Sequence, residues 1–146
     1  MSCPPTDKNC TAADKNGGCY VTDLSESVNV QNVHVSIGEQ KKGNASAIDG
    51  KATLQCGIAA TDAILDVQLE KKIDGNWQVV ATNSGESGKK SPTIGALSAK
   101  TPAVRQVDYP CEDGVYRIAA KASAIMDGVP SKMNDWKYGN ESDISC

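Results

Sequence analysis

From residue 28 onward the apolar positions recur every second residue, the period of strands that turn alternate side chains to a core and to water. Val28 and Val30 alternate with polar neighbours. Val33, Val35 and Ile37 resume the rhythm, with His34 on the polar side. The phase slips by one at Gln31-Asn32, which predicts a bulge or a strand changing sheets. A second strand is expected at about 51–59, with Ala52, Leu54, Cys56 and Ile58 on one face. A third covers 64–72, with Leu65, Val67 and Leu69 inward and Asp66, Gln68 and Glu70 outward. Asp74-Gly75 signals a two-residue hairpin into Trp77-Gln78-Val79-Val80. Residues 82–102, rich in Gly, Ser and Lys, read as a long surface loop too polar for a core. Strands resume near 103–108 and 115–125, the latter placing Tyr116, Ile118, Ala120, Ala122 and Ala124 opposite Arg117, Lys121 and Ser123. Asp127-Gly128 makes another turn, and 133–146 supply a closing strand.

No segment of useful length carries a 3.6-residue apolar period. Seven or eight short strands between Gly, Pro and Asp turns predict an all-β chain, a single antiparallel β-sandwich over 28–146. Residues 1–27 are rich in Cys, Asp, Asn and Gly and poor in apolar side chains. They are expected to form an irregular N-terminal segment, stapled by disulfides and packed on the domain.

Two segments carry a family likeness. Ala52-Thr53-Leu54-Gln55-Cys56 resembles the second strand of the immunoglobulin-like superfamily, which bears that fold's first cysteine. Asp113-Gly114-Val115-Tyr116-Arg117-Ile118 resembles its turn and tyrosine corner. The resemblance implies an immunoglobulin-like β-sandwich in which the Tyr116 hydroxyl bonds back to the local backbone. The chain departs from the antibody-type pattern at three points. Cys111, the nearest bridge partner for Cys56, lies before the tyrosine corner and not after it. Ile118 stands where such domains have a second cysteine, and no Trp falls on the third strand. Architecture of this kind implies no particular function.

Composition sharpens the picture of the core. The chain of 146 residues has no Phe, two Trp (Trp77 and Trp136) and four Tyr, so aliphatic side chains do most of the packing. Each large one contributes about 1.5–3 kcal/mol when fully buried. Six cysteines (Cys3, Cys10, Cys19, Cys56, Cys111 and Cys146) form an even set without metal-ligand spacing. They read as three disulfides of a secreted, extracellular protein. Six cysteines allow 15 pairings. The pairing expected is Cys56–Cys111, Cys3–Cys10 and Cys19–Cys146, the first adding roughly 4 kcal/mol in the chain-entropy model. A lipidated Cys3 would leave an odd cysteine.

The net charge of −3 argues against a nucleic-acid or anionic-membrane partner. No apolar run is long enough to span a membrane. Catalysis finds little support: His34 is the only histidine, and no Gly-x-Ser-x-Gly elbow is present. Gly85-Glu86-Ser87-Gly88-Lys89-Lys90-Ser91 fails the phosphate-loop pattern, with Asn83 and Lys90 at required positions, and reads as a surface loop. Asp14, Asn16 and Asp23 sit at oxygen-ligand spacing for calcium, but Ser25 replaces the bidentate carboxylate and the residues are ordinary turn formers. No pair of carboxylates is singled out for glycoside hydrolysis. Sequons at Asn9, Asn44 and Asn140 would accept glycan in a eukaryotic secretory pathway.

Two features could meet a partner. One is the 82–102 stretch through Lys89, Lys90 and Ser91. The other is a Cys3–Cys10 ring presenting Lys8. The expectation is a non-catalytic binding module for an extracellular protein or glycan, without a cofactor. The alternative is a disulfide-stabilised inhibitor of an extracellular serine protease acting through Lys8 or Lys89/Lys90.

Overall fold

The computed structural model describes residues 18–32 and 44–146 of the chain. The strands within them are β1 Cys19–Asn32, β2 Asn44–Cys56, β3 Ala60–Ile73, β4 Asn76–Thr82, β5 Thr93–Leu97, β6 Ala103–Pro110, β7 Gly114–Met126, β8 Val129–Lys132, β9 Lys137–Tyr138 and β10 Ser142–Ile144. They build an all-β sandwich of two antiparallel sheets. The smaller sheet has the order β1-β2-β6. The larger has the order β10-β7-β3-β4, with β5 also beside β3 and β8 and β9 beside β7.

Alternation explains why these segments face as they do. Ile48, Ala52 and Leu54 of β2 are buried against Leu65, Val67 and Leu69 of β3 and Tyr116, Ile118, Ala120, Ala122 and Ala124 of β7. Tyr116 is the one aromatic side chain among the buried residues. The sheets approach so closely at Gly50 that an added Cβ would run into Ile118 Cδ1, so the glycine there is a packing requirement. The hairpin at 74–75 forms as the sequence predicts. Ile73 pairs with Asn76, and Asp74 and Gly75 take left-handed φ values of 51° and 80°. At the corner before β7, the Tyr116 hydroxyl donates to the Glu112 carbonyl at 2.9 Å.

Several expectations are corrected. Residues 19–27, expected to be irregular, belong to β1, whose Cys19 and Val21 are in the core. Their alternation is hidden because the register slips between Thr22 and Ser25. At Gln31-Asn32, where the slip was expected, pairing with Asn44 and Ala45 is regular. Val33–Ile37 and His34 lie outside the described residues. The 82–102 stretch is not one loop: it contains a 3-10 turn at Gly88–Lys90 and strand β5, and buries Asn83 and Leu97. Residues 133–146 supply two short strands, β9 and β10, which both pair with β7.

The disulfides are also re-paired. Cys19 bonds Cys56, its register neighbour across β1 and β2, and Cys111 bonds Cys146. Cys56–Cys111 is excluded by the length of β2. Cys111 adjoins Ser46, whose carbonyl accepts from the Cys111 amide, whereas Cys56 lies at the strand's other end. Ten residues of strand separate them by roughly 30 Å, several times the reach of a disulfide. The same geometry excludes Cys19–Cys146, because Cys19 shares the Cys56 end. Cys3 and Cys10 lie outside the described residues.

Candidate functional site

Of the residues singled out from sequence, Lys89, Lys90 and Ser91 come together beside β6, while Lys8, Asp14 and Asn16 lie outside the described residues. The segment from Asn83 to Pro92 is bound to the sandwich at three levels. Buried Asn83 fills a gap in the sheet edge between β4 and β5: its Oδ1 accepts from the Val67 amide at 3.0 Å and its Nδ2 donates to the Leu65 carbonyl at 2.9 Å. Its own amide donates to the Val67 carbonyl at 3.1 Å, and the Leu65 amide donates to the Pro92 carbonyl at 2.8 Å. Arg105 Nε of β6 then donates to the Ser91 carbonyl at 2.6 Å. Lys90 Nζ closes a 2.6 Å ion pair with Asp108. Lys89 and Lys90 line a shallow groove of about 370 Å³ with Val104 and Gln106. Lys89 is exposed, while Lys90 and Ser91 are partly covered as residues, although the Lys90 side chain remains 45% exposed.

Asp108 also faces Asp49 directly across β2 and β6. Burial and the hydrogen bond with Asp108 hold the Asp49 carboxyl above its ordinary value. At Asp108 burial acts in the same direction but is outweighed by the hydrogen bonds with Asp49 and Lys90, so its carboxyl lies below the usual value. One carboxyl of the pair therefore keeps its proton longer, and Lys90 selects which. Asp23, the remaining calcium candidate, is exposed with φ 55°, and no group of three or more metal-capable side chains occurs among the described residues.

The outer face of the larger sheet is built differently. Glu70 of β3 and Arg117 of β7 are register partners pointing away from the core. Arg117 donates to Glu70 Oε1 through Nε at 2.9 Å and through a terminal nitrogen at 2.8 Å. Gln68 Nε2 donates to Glu70 Oε2 at 2.8 Å. The hairpin sets Trp77 opposite Lys72, and β9 sets Tyr138 opposite Ala119, so the two rings flank the guanidinium. Arg117 Cζ lies 4.3 Å from the Trp77 ring centre and 3.9 Å from that of Tyr138. Lys72 approaches the Trp77 ring and Lys121 that of Trp136, each at 5.9 Å. Beneath this cover Glu70, on the outward side of its strand, is only 5% exposed. Tyr138 and Val79 remain exposed on the same face, and neither tryptophan enters the core.

These aromatic and cationic residues were not singled out from sequence. Trp77, Arg117 and Tyr138 are distant along the chain and become neighbours only once β3 pairs with both β4 and β7, and β9 with β7. The available signal was the phase of β7, which puts Arg117 and Lys121 outside. No family model and no curated protein matches the chain. Among the described residues, no helix is long and apolar enough to cross a membrane.

Proposed function

We propose that the protein is a secreted, non-catalytic binding module of immunoglobulin-like architecture, and that it takes an extracellular protein or glycan partner on the outer face of the larger sheet. The observation that carries this reading is the placement of both tryptophans, with Arg117 and Tyr138, outside a core that has only one aromatic side chain. Trp, Tyr and Arg are the residues that dominate binding energy at interfaces, because they bury much area at little entropic cost. The Glu70 contacts hold Arg117 in place, which lowers the cost of docking.

The architectural part is supported by the strand order. β1-β2-β6 and β10-β7-β3-β4 follow the A-B-E and G-F-C-C′ orders of such domains, and the Tyr116 bond occupies the place of their tyrosine corner. The two disulfides among the described residues favour an oxidising, extracellular setting. Protease inhibition through Lys90 has less behind it, since its ammonium is committed to Asp108. Titration against trypsin-like enzymes checks that alternative. The test of the main reading is affinity capture from extracellular material of the source, run in parallel with Trp136→Ala/Tyr138→Ala. A species retained by the native protein and lost by the variant supports the reading; equal retention by both refutes it.

A further inference from the structure

The edges of the two sheets are protected to very different degrees. β1 carries Asp23 and Glu26 and slips register between Thr22 and Ser25. β6 carries Arg105 and Asp108, ends at Pro110, and has the 83–92 segment bound against it. β10 is three residues long and bears Asp143, β9 is two residues long, and β8 contains Pro130 and Lys132. β5 has five residues and pairs with shifts in register. Charge, proline, irregularity and shortness are the devices that keep sheet edges from pairing with other chains.

β4 lacks most of them. Its seven residues, Asn-Trp-Gln-Val-Val-Ala-Thr, include no charge and no proline. It is the last strand on its side of the larger sheet, and no described residue pairs with its outer edge. Its one irregularity is a bulge that leaves Val80 without a partner on β3. Asn76 to Val79 form a regular run on which Val79 is 51% exposed.

We propose that this edge pairs with the β4 edge of a second copy of the chain, antiparallel about a two-fold axis. Because β4 carries no charge, pairing with its own copy sets no like charges opposite one another in any register. The pairing joins two larger sheets edge to edge and brings the Trp77 and Val79 positions of both copies onto one continuous outer face. A seven-residue strand pair is small for a stable interface, so the dimer is weak and concentration-dependent. The inference is independent of the partner proposed above, because it uses backbone groups of the edge and not the stacked side chains.

The test is sedimentation equilibrium of the intact protein over micromolar to millimolar concentration, alongside Val79→Lys, with circular dichroism and thermal melting of both. The expected result is a reversible monomer–dimer equilibrium whose dissociation constant rises at least tenfold in Val79→Lys, with spectrum and melting midpoint unchanged. A native protein that stays monomeric throughout overturns the proposal, as does a variant that dimerises equally well. An uncharged Val/Thr-rich peptide that binds a monomeric native protein, and competes for the same edge, would also overturn it by naming a different occupant. If Val79→Lys fails to fold, Gln78→Lys serves in its place with the same expected and overturning results.

Discussion

The segment 83–92 and the outer face of the larger sheet reverse what their compositions suggest. The first has no Ala, Val, Ile, Leu, Met or aromatic residue, yet it is anchored by a buried asparagine, a hydrogen bond from Arg105 and an ion pair. The second holds the tryptophans, the side chains a core would be expected to claim, and keeps them at the surface. Polarity along a sequence reports what a side chain can bond, not whether it is free. Asn83 supplies the donor and acceptor that a missing strand residue would have given to β3, so the edge gap is filled by a side chain.

The ion pairs of the two regions differ most in burial, and the loss of each should differ accordingly. Arg117→Ala strands Glu70, only 6% exposed at its side chain, without its counter-charge. Denaturant unfolding should show a loss of about 3 kcal/mol. A loss below about 1 kcal/mol would mean that the stacked assembly contributes little order to the face. Asn83→Ala comes next. It leaves the Val67 amide and Leu65 carbonyl without partners and should cost about 2 kcal/mol by the same measurement. An unchanged midpoint would show the segment to be loosely attached after all.

Asp49→Asn has a smaller effect of opposite sign, and it depends on pH. The folded Asp49 pKa is raised above the ordinary value of 3.8, so the stability linked to its proton is present below that value and is lost as pH rises through the folded pKa. Replacing it by a neutral amide that can donate to Asp108 should therefore raise stability at neutral pH by about 0.5 kcal/mol. The gain should vanish as pH falls towards 3.8, and a gain independent of pH would contradict the shared-proton account. Lys90→Ala should be the mildest, costing less than about 0.5 kcal/mol, because the pair is 45% exposed on the lysine side.

Much of the sandwich was legible in the sequence. Leu65, Val67 and Leu69 and the Tyr116–Ala124 run alternate cleanly because they serve one buried face without interruption. The Asp74-Gly75 turn was legible because its backbone angles demand those residue types. The start of β1 was not, since the slip after Thr22 breaks the alternation and places Glu26 on the buried side. Its carboxyl lies near Ser142 and the Ile118 backbone, with neither oxygen hydrogen-bonded, and burial pushes its pKa up. Disulfide pairing failed for the same reason: with β1 unrecognised, the neighbour of Cys56 was invisible, and Cys111 stood in for it. The aromatic face was illegible because its members come from β4, β7 and β9, and no local pattern announces which strands will adjoin.

The central claim is that the partner is met by the aromatic face and not by the polar segment. Once a partner has been captured, its affinity for the native protein, Tyr138→Ala and Lys89→Ala can be compared by isothermal titration calorimetry. Tyr138 and Lys89 are both exposed, so neither substitution opens a hole in the core. The account predicts at least tenfold weaker binding with Tyr138→Ala, about 1.4 kcal/mol or more, and no change with Lys89→Ala. Loss of binding with Lys89→Ala alongside full affinity in Tyr138→Ala would contradict it.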